Sequence, residues 1–573
     1  MSREILFRIL MSRHLIHILL LFLLVSFLFV LPCTADLPSS YDLRTLNLTP
    51  EIMNQGIYEI CWAYASIASL ESSMIMQDPE KYSGIRLSPY HLAYFTYNRN
   101  DISDPDSPFP GLEGIAGDYT YCDKANLSGN SSSLVYGGYE FQGMYTLASW
   151  IGAVNESAVC FDSYGDSFPL PADLSTSANE IQLRSAAIIP PEDTSTIKTM
   201  LMENGSGTFG FYLDAEDPYI NGLGNGEWAY YHGSGDEGKT YISNHAVLLI
   251  GWDDTFPKEN FNMTPEHDGA WLIQNSWGSG AANGTYIWIS YDEPYIDNLL
   301  FFQGEEPVYD HNYQYDGGTL LNVYPTNQTG VSIGNVFTAG GDELIRAVSL
   351  DTNQSVTYTL GIYTDPEEGI PDSGNLLASA TGHLDHRGYY TIELEDPVPI
   401  EEGQTFSVVY SLTSDDPLNI SIDRSILLKE DLIETVTLAK PGQSYLLDGP
   451  VWTDLSADKE TNLRIKAFTT DTVFTVSIDP VTSYLGSRPV TVSGTTTFAP
   501  GSELNVTLTC PDGSRIFKTA VVSGGTWNVT FSGMQFLEKE YTVTAERKSV
   551  QTTDTFVPVG LISFLTPGIA VSA

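Results

Sequence analysis

Gln55-Gly56-Ile57-Tyr58-Glu59-Ile60-Cys61-Trp62-Ala63-Tyr64-Ala65 is the stretch from which the rest of the chain can be read. Residues Cys61 to Met76 carry few helix breakers and place small and apolar residues at helical spacing, which predicts a helix beginning at the cysteine. A thiol there lies against the positive end of the helix dipole, which favours the thiolate. Gln55, shortly upstream, is placed to donate its amide toward an oxyanion beside the backbone N–H of Cys61. Far downstream, Asn244-His245-Ala246-Val247 opens a strand and Gln274-Asn275-Ser276-Trp277-Gly278 closes another. Thiol chemistry needs an imidazole to share the proton and a third group to orient that imidazole, and these segments contain both.

In this order the residues resemble the papain-like (C1 family) cysteine peptidases. That pattern has Gln six residues before the nucleophile, matched by Gln55 and Cys61, then Trp62 and a helix. It has His-Ala-Val, matched at His245, and Asn-Ser-Trp-Gly followed by Gly-x-Tyr, matched at Asn275 to Gly278 and Gly284 to Tyr286. Gly137-Gly138-Tyr139 resembles the family's substrate-binding segment, and Leu37-Pro38-Ser39-Ser40-Tyr41-Asp42-Leu43-Arg44 its mature start. The resemblance covers about residues 37–305. It implies an α+β, two-lobed catalytic domain with a helical lobe and a β-barrel lobe. It also implies roles: Cys61 as nucleophile, His245 as base, Asn275 as orienting group and Gln55 as oxyanion donor. Trp277 would shield the Asn–His bond, and Gly137, Gly138, Tyr139, Trp277 and Glu59 would serve substrate binding. Each residue also has a plainer reading alone: a buried Cys as a small hydrophobe, a core His, an Asn capping a turn, a Gly-Gly turn.

The sequence departs from the pattern just before the nucleophile. Gly followed by Ser or Thr is usual, and here Glu59 and Ile60 stand there; Tyr58 replaces a common cysteine. A carboxylate two residues before the nucleophile predicts a preference for basic residues immediately before the cut. The alternatives are that Glu59 faces solvent or favours the N-terminus of the Cys61 helix. The mature-like start follows the N-terminal segment almost at once, so no propeptide is expected.

The chain has 573 residues, 26 Lys+Arg against 72 Asp+Glu, and a net charge of −46. That length predicts several domains, and the charge argues against nucleic acid or anionic lipid as partners. Arg3, Arg8 and Arg13 precede an apolar run from Leu15 to Leu31, and Cys33 and Ala35 suit cleavage before Asp36. This reads as an export signal over residues 1–35, with an uncleaved anchor as the competing reading. No integral membrane domain is expected otherwise. Twelve Asn-x-Ser/Thr triplets agree with export: Asn47, Asn126, Asn130, Asn155, Asn204, Asn262, Asn283, Asn327, Asn353, Asn419, Asn505 and Asn528.

Residues 36–304 mix helical and strand patterns. Further helices are predicted at Leu87–Tyr97, Gln142–Val154 and Thr196–Asn204, and strands at Thr208–Tyr212, His245–Trp252, Ala270–Asn275 and Gly284–Tyr291. Asn98–Tyr136 and Phe161–Ile189, rich in Asp, Ser, Gly and Asn, read as surface insertions. Residues 305–470 read as an antiparallel β-sandwich, and 473–557 as a smaller one of Ig-like size; 558–573 form a tail. The two β units resemble, more loosely, the lectin-like and Ig-like modules that accompany some such peptidases. Tyr313 and Tyr315 are candidates for stacking on sugars, against a plainer place in the core.

The expectation is therefore an extracellular or cell-surface cysteine endopeptidase acting on protein or peptide, with cell-surface glycans as further partners. No cofactor and no metal site are expected. The rival is a surface adhesin with a non-catalytic papain-like domain. The spacing of Cys122 and Cys160, which bracket the Gly-Gly segment, resembles a disulfide common in the family. Peptide mapping without reduction should find these two linked and Cys61 free, and reduction should cost about 2–4 kcal/mol of stability. Recovery of both as alkylated thiols from native, unreduced protein would contradict the bridge.

Overall fold

The computed structural model describes residues 37–98, 115, 118–122, 133–159, 170, 174–175, 179–214, 218–233, 241–279, 284–428 and 433–560. The export signal, Cys160, the Cys122 side chain, Asn126, Asn130 and Asn283 lie outside them. The other sequon asparagines are exposed or half-exposed.

Helix Cys61–Gln77 is buried from Trp62 to Ile75 on every face. Its small residues permit this. Ala63, Ala65 and Ala68 let neighbours approach, and buried serines find partners rather than water. Ser66 bonds back to Trp62 O at 2.8 Å, Ser69 donates to Ser206 O at 2.6 Å, and Ser73 accepts from Gly304 N at 3.0 Å. The helix packs on strands Leu299–Glu305 and His245–Asp253 and against helices Pro89–Tyr97 and Glu140–Ala148. Helix Pro89–Tyr97 starts two residues after the expected Leu87 and ends at the expected Tyr97. Ser88 caps it by accepting from His91 N at 3.1 Å, and Pro89 occupies its first turn. The expected helix Gln142–Val154 instead spans Glu140–Ala148, because Trp150 (φ 63°) and Gly152 (φ 89°) leave helical space.

One sheet of sixteen strands runs through both large units. Its main path is His311–Tyr313, Ala467–Asp471, Glu343–Thr352, Arg387–Ile400, Gln182–Ile189, Leu299–Glu305, Gly207–Phe211, His245–Asp253, Ala270–Gln274, Tyr286–Ser290, Glu227–Tyr230 and Ile220–Gly222. Its centre corrects the expectation of a surface insertion at Phe161–Ile189. Gln182–Ile189 is an interior strand, pairing Leu299–Glu305 on one side and Arg387–Tyr390 on the other. The second pairing needs Gly388, whose added Cβ would lie 2.1 Å from Ala186 O. The other expected insertion is also part of a sheet. Tyr119–Cys122 pairs with Ile433–Val436, so Cys122 sits opposite Ile433.

In the second unit a six-stranded antiparallel sheet closes over the Glu343–Thr352 end of the large sheet, around Ile345, Leu350, Leu360, Val408 and Ile422. Tyr313 and Tyr315 belong to this interior, which corrects their reading as sugar platforms. Tyr313 donates to Glu343, and Tyr315 stacks on Phe337 with its hydroxyl on Val336 O at 2.8 Å. The first core continues across the junction to Ala347, Tyr389 and Phe468, where Phe468 stacks on Trp150 at 5.6 Å and Tyr309 at 5.4 Å. Arg464, fully buried, places its guanidinium 3.7 Å from the Tyr145 ring centre and donates to Gly318 O and Leu320 O. Lys466 pairs with Asp316 at 2.7 Å beside it, so the buried charges are both paired and hydrogen-bonded.

Residues 473–560 hold a separate core around Trp527, Val506 and Val543, between a two-stranded and a four-stranded sheet. Arg547 reaches Glu401 at 2.8 Å and Lys548 reaches Glu402 O at 3.1 Å. Calorimetry should therefore resolve two transitions, one for the shared core of the first two units and one for the third. Phe468→Ala should lower only the former, by about 3–5 kcal/mol. Separate melting of residues 37–304 and 305–471 would contradict the shared core.

Candidate active site

The helix starts at Cys61 because Ile60 departs from helical geometry (φ −118°, ψ 25°). No side chain caps that end. Its free N–H groups are open to the sulfur, which receives backbone hydrogen bonds from Ala246 and Trp62. These do not prevail over burial. Desolvation, with the charges of Glu140 and Glu59, pushes the Cys61 thiol up to about 11. Burial likewise lowers His245 to about 4, against the hydrogen bond it donates to Asn275. The sequence predicted a thiolate favoured by the dipole. At both groups burial opposes the charged form, against the partial positive charge of the helix end at Cys61 and the Asn275 bond at His245.

His245 is the first residue of its strand, opposite Phe211. Its Nε2–H donates to Asn275 Oδ1 at 2.9 Å, which leaves Nδ1 as the basic nitrogen. Asn275 is itself held: its N–H donates to Thr285 O at 2.8 Å, and its Oδ1 also accepts from Ser276 N at 2.8 Å. Trp277 stacks on the imidazole at 5.0 Å and 27°, covering the Asn–His bond. Gln55 is buried behind the cysteine, donating from Nε2 to Tyr58 O at 2.8 Å and accepting at Oε1 from Ser276.

Cys61 and His245 open on one cavity of about 160 Å³, with Gly137, Gly138 and Tyr139 as the facing wall and Glu59 at its edge. Gly137 takes φ 76° and its carbonyl accepts from Tyr97 at 3.0 Å. At Gly138 a Cβ would stand 2.5 Å from the Trp62 ring, so only glycine brings this wall so close to the helix. Glu59 is exposed, its N–H on Leu134 O at 2.8 Å. Three residues went unread in the sequence. Glu140 and Ser243 line the cavity, and so does Ile433, which belongs to the second unit. Glu140 directly follows Gly137-Gly138-Tyr139, a signal that was available; Ile433 carried none.

These features define a papain-like cysteine peptidase domain joined to a lectin-like domain. Residues 136–298 match the family model described as papain family cysteine protease, and residues 312–469 match the lectin like domain. A cysteine protease from Blomia tropicalis is 24% identical over 258 residues, 44% of this chain and 61% of that protein. The alignment thus spans about six tenths of the relative's length. The solved structure of the clostridial cysteine protease Cwp84 after propeptide cleavage is 22% identical with a TM-score of 0.60, covering 76% of this chain and 100% of that one. The cysteine protease and lectin-like domains of Cwp84, a surface layer associated protein of Clostridium difficile, give 21% and 0.58 over 76% and 89%. These likenesses show a shared fold across both units.

Gly138→Ala should push either the wall or Trp62 aside. It should cost about 1–3 kcal/mol of stability and lower turnover of any cleft substrate. Thermal denaturation and peptide hydrolysis measure the two, and an unaffected variant would show the wall to be pliable.

Proposed function

We propose that the chain is an exported cysteine endopeptidase, acting outside the cell or at its surface on protein or peptide substrates. The observation that carries this reading is the His245–Asn275 hydrogen bond at 2.9 Å beneath Trp277, beside the one cavity shared with Cys61. In the proposed reaction Cys61 Sγ attacks the scissile carbonyl while His245 Nδ1 takes the thiol proton. The imidazolium so formed then donates that proton to the leaving amine. Asn275 keeps the ring in this tautomer, as its oxygen accepts from Nε2–H. Gln55 has a second amide hydrogen beyond the one on Tyr58 O, and with the Cys61 N–H it would hold the oxyanion. Water then releases the acyl group.

The proposed division is a signal at 1–35, a two-lobed peptidase domain at 36–304, a lectin-like unit at 305–470, an Ig-like unit at 473–557 and a tail. The lectin-like match supports glycan binding at the cell surface, through residues other than Tyr313 and Tyr315. Among the described residues no helix is long and apolar enough to cross a membrane. The sequons support glycosylation after export. Persistence of the whole set Gln55, Cys61, His245 and Asn275 speaks against a non-catalytic adhesin domain.

Cys61→Ser and His245→Ala should abolish hydrolysis of a casein or fluorogenic peptide substrate. Gln55→Ala should retain a remnant, about 10²–10³-fold down in kcat. An irreversible epoxide thiol-peptidase inhibitor should label Cys61 alone. Full activity of Cys61→Ser would sink the reading. Glu59→Gln should relax any preference for basic residues immediately before the cut; an identical profile would leave Glu59 a structural residue.

A further inference from the structure

Helix Cys61–Gln77 has two ends, and the catalytic cleft uses only one. At the other, Gln77 Nε2 donates to Gly304 O at 2.9 Å, where the chain leaves strand Leu299–Glu305 for the second unit. The helix's 17 residues span about 25 Å, so this end is remote from Cys61. A cavity of about 580 Å³ opens there, in the seam between the two units. Glu305 and Tyr309 line it from the connecting segment, and Arg346, Glu393, Glu395 and Thr470 from the second unit. A bulge gives it its shape. Arg346 falls out of register in both ladders of its strand: Ile345 pairs Val398 and Ala347 pairs Glu393, so residues 394–397 stand opposite Arg346 alone. Such a bulge re-aims a side chain, and here it turns Arg346 outward while Ile345 and Ala347 stay buried.

The lining mixes donors and acceptors that the protein leaves open. Arg346 spends only Nε, on Thr470 Oγ1 at 3.1 Å, and its terminal nitrogens have no partner among the described residues. Glu393 meets Arg184 at 3.0 Å, whereas Glu395 has no partner among those residues. Tyr309 is half-buried, with Phe468 stacked on one face at 5.4 Å. Burial and the Glu393 charge raise Glu305 to about 7, against Arg184, so this carboxyl adds less than a full charge at neutral pH. Three carboxyl groups disfavour an anion, and Arg346 with Arg184 disfavours a cation. What suits both signs is an uncharged molecule rich in hydroxyls, each able to donate to a carboxylate and to accept from a guanidinium.

We propose that this seam cavity is a saccharide-binding site, taking an uncharged sugar whose hydroxyls bond Arg346 and Glu395 and whose ring lies against Tyr309. This deepens the glycan-binding reading and rests on it. Tyr309 supplies the aromatic surface that Tyr313 and Tyr315, held in the core, do not. The volume falls in the range of small-ligand sites. Another cavity of the second unit, at Gln354 and His383, lacks an aromatic ring, and its polar groups are already engaged. Gln354 donates to Ser414 Oγ at 3.0 Å and accepts from Asn419 N at 3.1 Å, and His383 bonds Thr357 at 2.9 Å. In the seam, by contrast, a bound sugar would touch the connecting segment and the second unit together.

The full-length protein is titrated by calorimetry with tetrasaccharides of N-acetylglucosamine, mannose and glucose, and with tetragalacturonic acid as an anionic counterpart. At least one of the neutral sugars should bind, and more tightly than the anionic one. Arg346→Gln and Glu395→Gln, both at exposed side chains, should each weaken that binding about tenfold or more. Their thermal melting should match wild type, which separates a lost contact from a lost fold. Binding that survives in both variants overturns the site and leaves the glycan reading standing, with its contacts elsewhere on the second unit. Preference for the anionic sugar overturns the site as well, since its carboxylates would repel that ligand. If wild type binds none of these saccharides, the glycan reading falls and the site falls with it.

Discussion

Burial of helix Cys61–Gln77 on all sides is the constraint on which the rest of the molecule depends. A helix normally turns one polar face to water; this one turns none, so its serines must find partners inside the protein. Ser69 and Ser73 take theirs from Ser206, just before strand Gly207–Phe211, and from Gly304 on strand Leu299–Glu305. These bonds set the helix in depth and rotation against the sheet. The position of Cys61 at its N-terminus is thereby fixed relative to His245, a strand away.

That same sheet makes the second unit part of the first. Gln182–Ile189 pairs Leu299–Glu305 within the catalytic unit and Arg387–Tyr390 beyond it. The core and the Arg464–Tyr145 contact continue across the seam. Tyr145 lies on the helix that Glu140 begins, so the lectin-like unit buttresses the element carrying one wall of the cleft. Ile433 then lines the cavity itself. The third unit has its own core and touches the rest through Arg547 and Lys548, which makes it an attachment rather than a support.

Opposing electrostatic influences meet at Cys61. Burial and the carboxylates of Glu140 and Glu59 raise the Cys61 thiol, while backbone N–H groups and the helix end supply partial positive charge.

The sequence by itself determined the chemistry-bearing residues and the local elements. Cys61 begins a helix because Ile60 breaks and the following residues do not. His245 begins a strand because the run that follows is continuously apolar. Gln55 and Asn275 stand at readable spacings from them, and the structure gathers Cys61 and His245 around one cavity with the other two bonded behind. Such features are local, since helix and strand periodicities are properties of a short window. Tertiary structure decided the rest. Gln182–Ile189 read as loop, with its preceding stretch rich in turn residues, and became an interior strand through pairings to two distant segments. Tyr313 and Tyr315 could be read either as sugar platforms or as core, and the covering sheet makes them core. Glu140, Ser243 and Ile433 come from three separate stretches and meet on the wall of one cavity. Register and burial are sums over partners far apart along the chain, and no short window contains them.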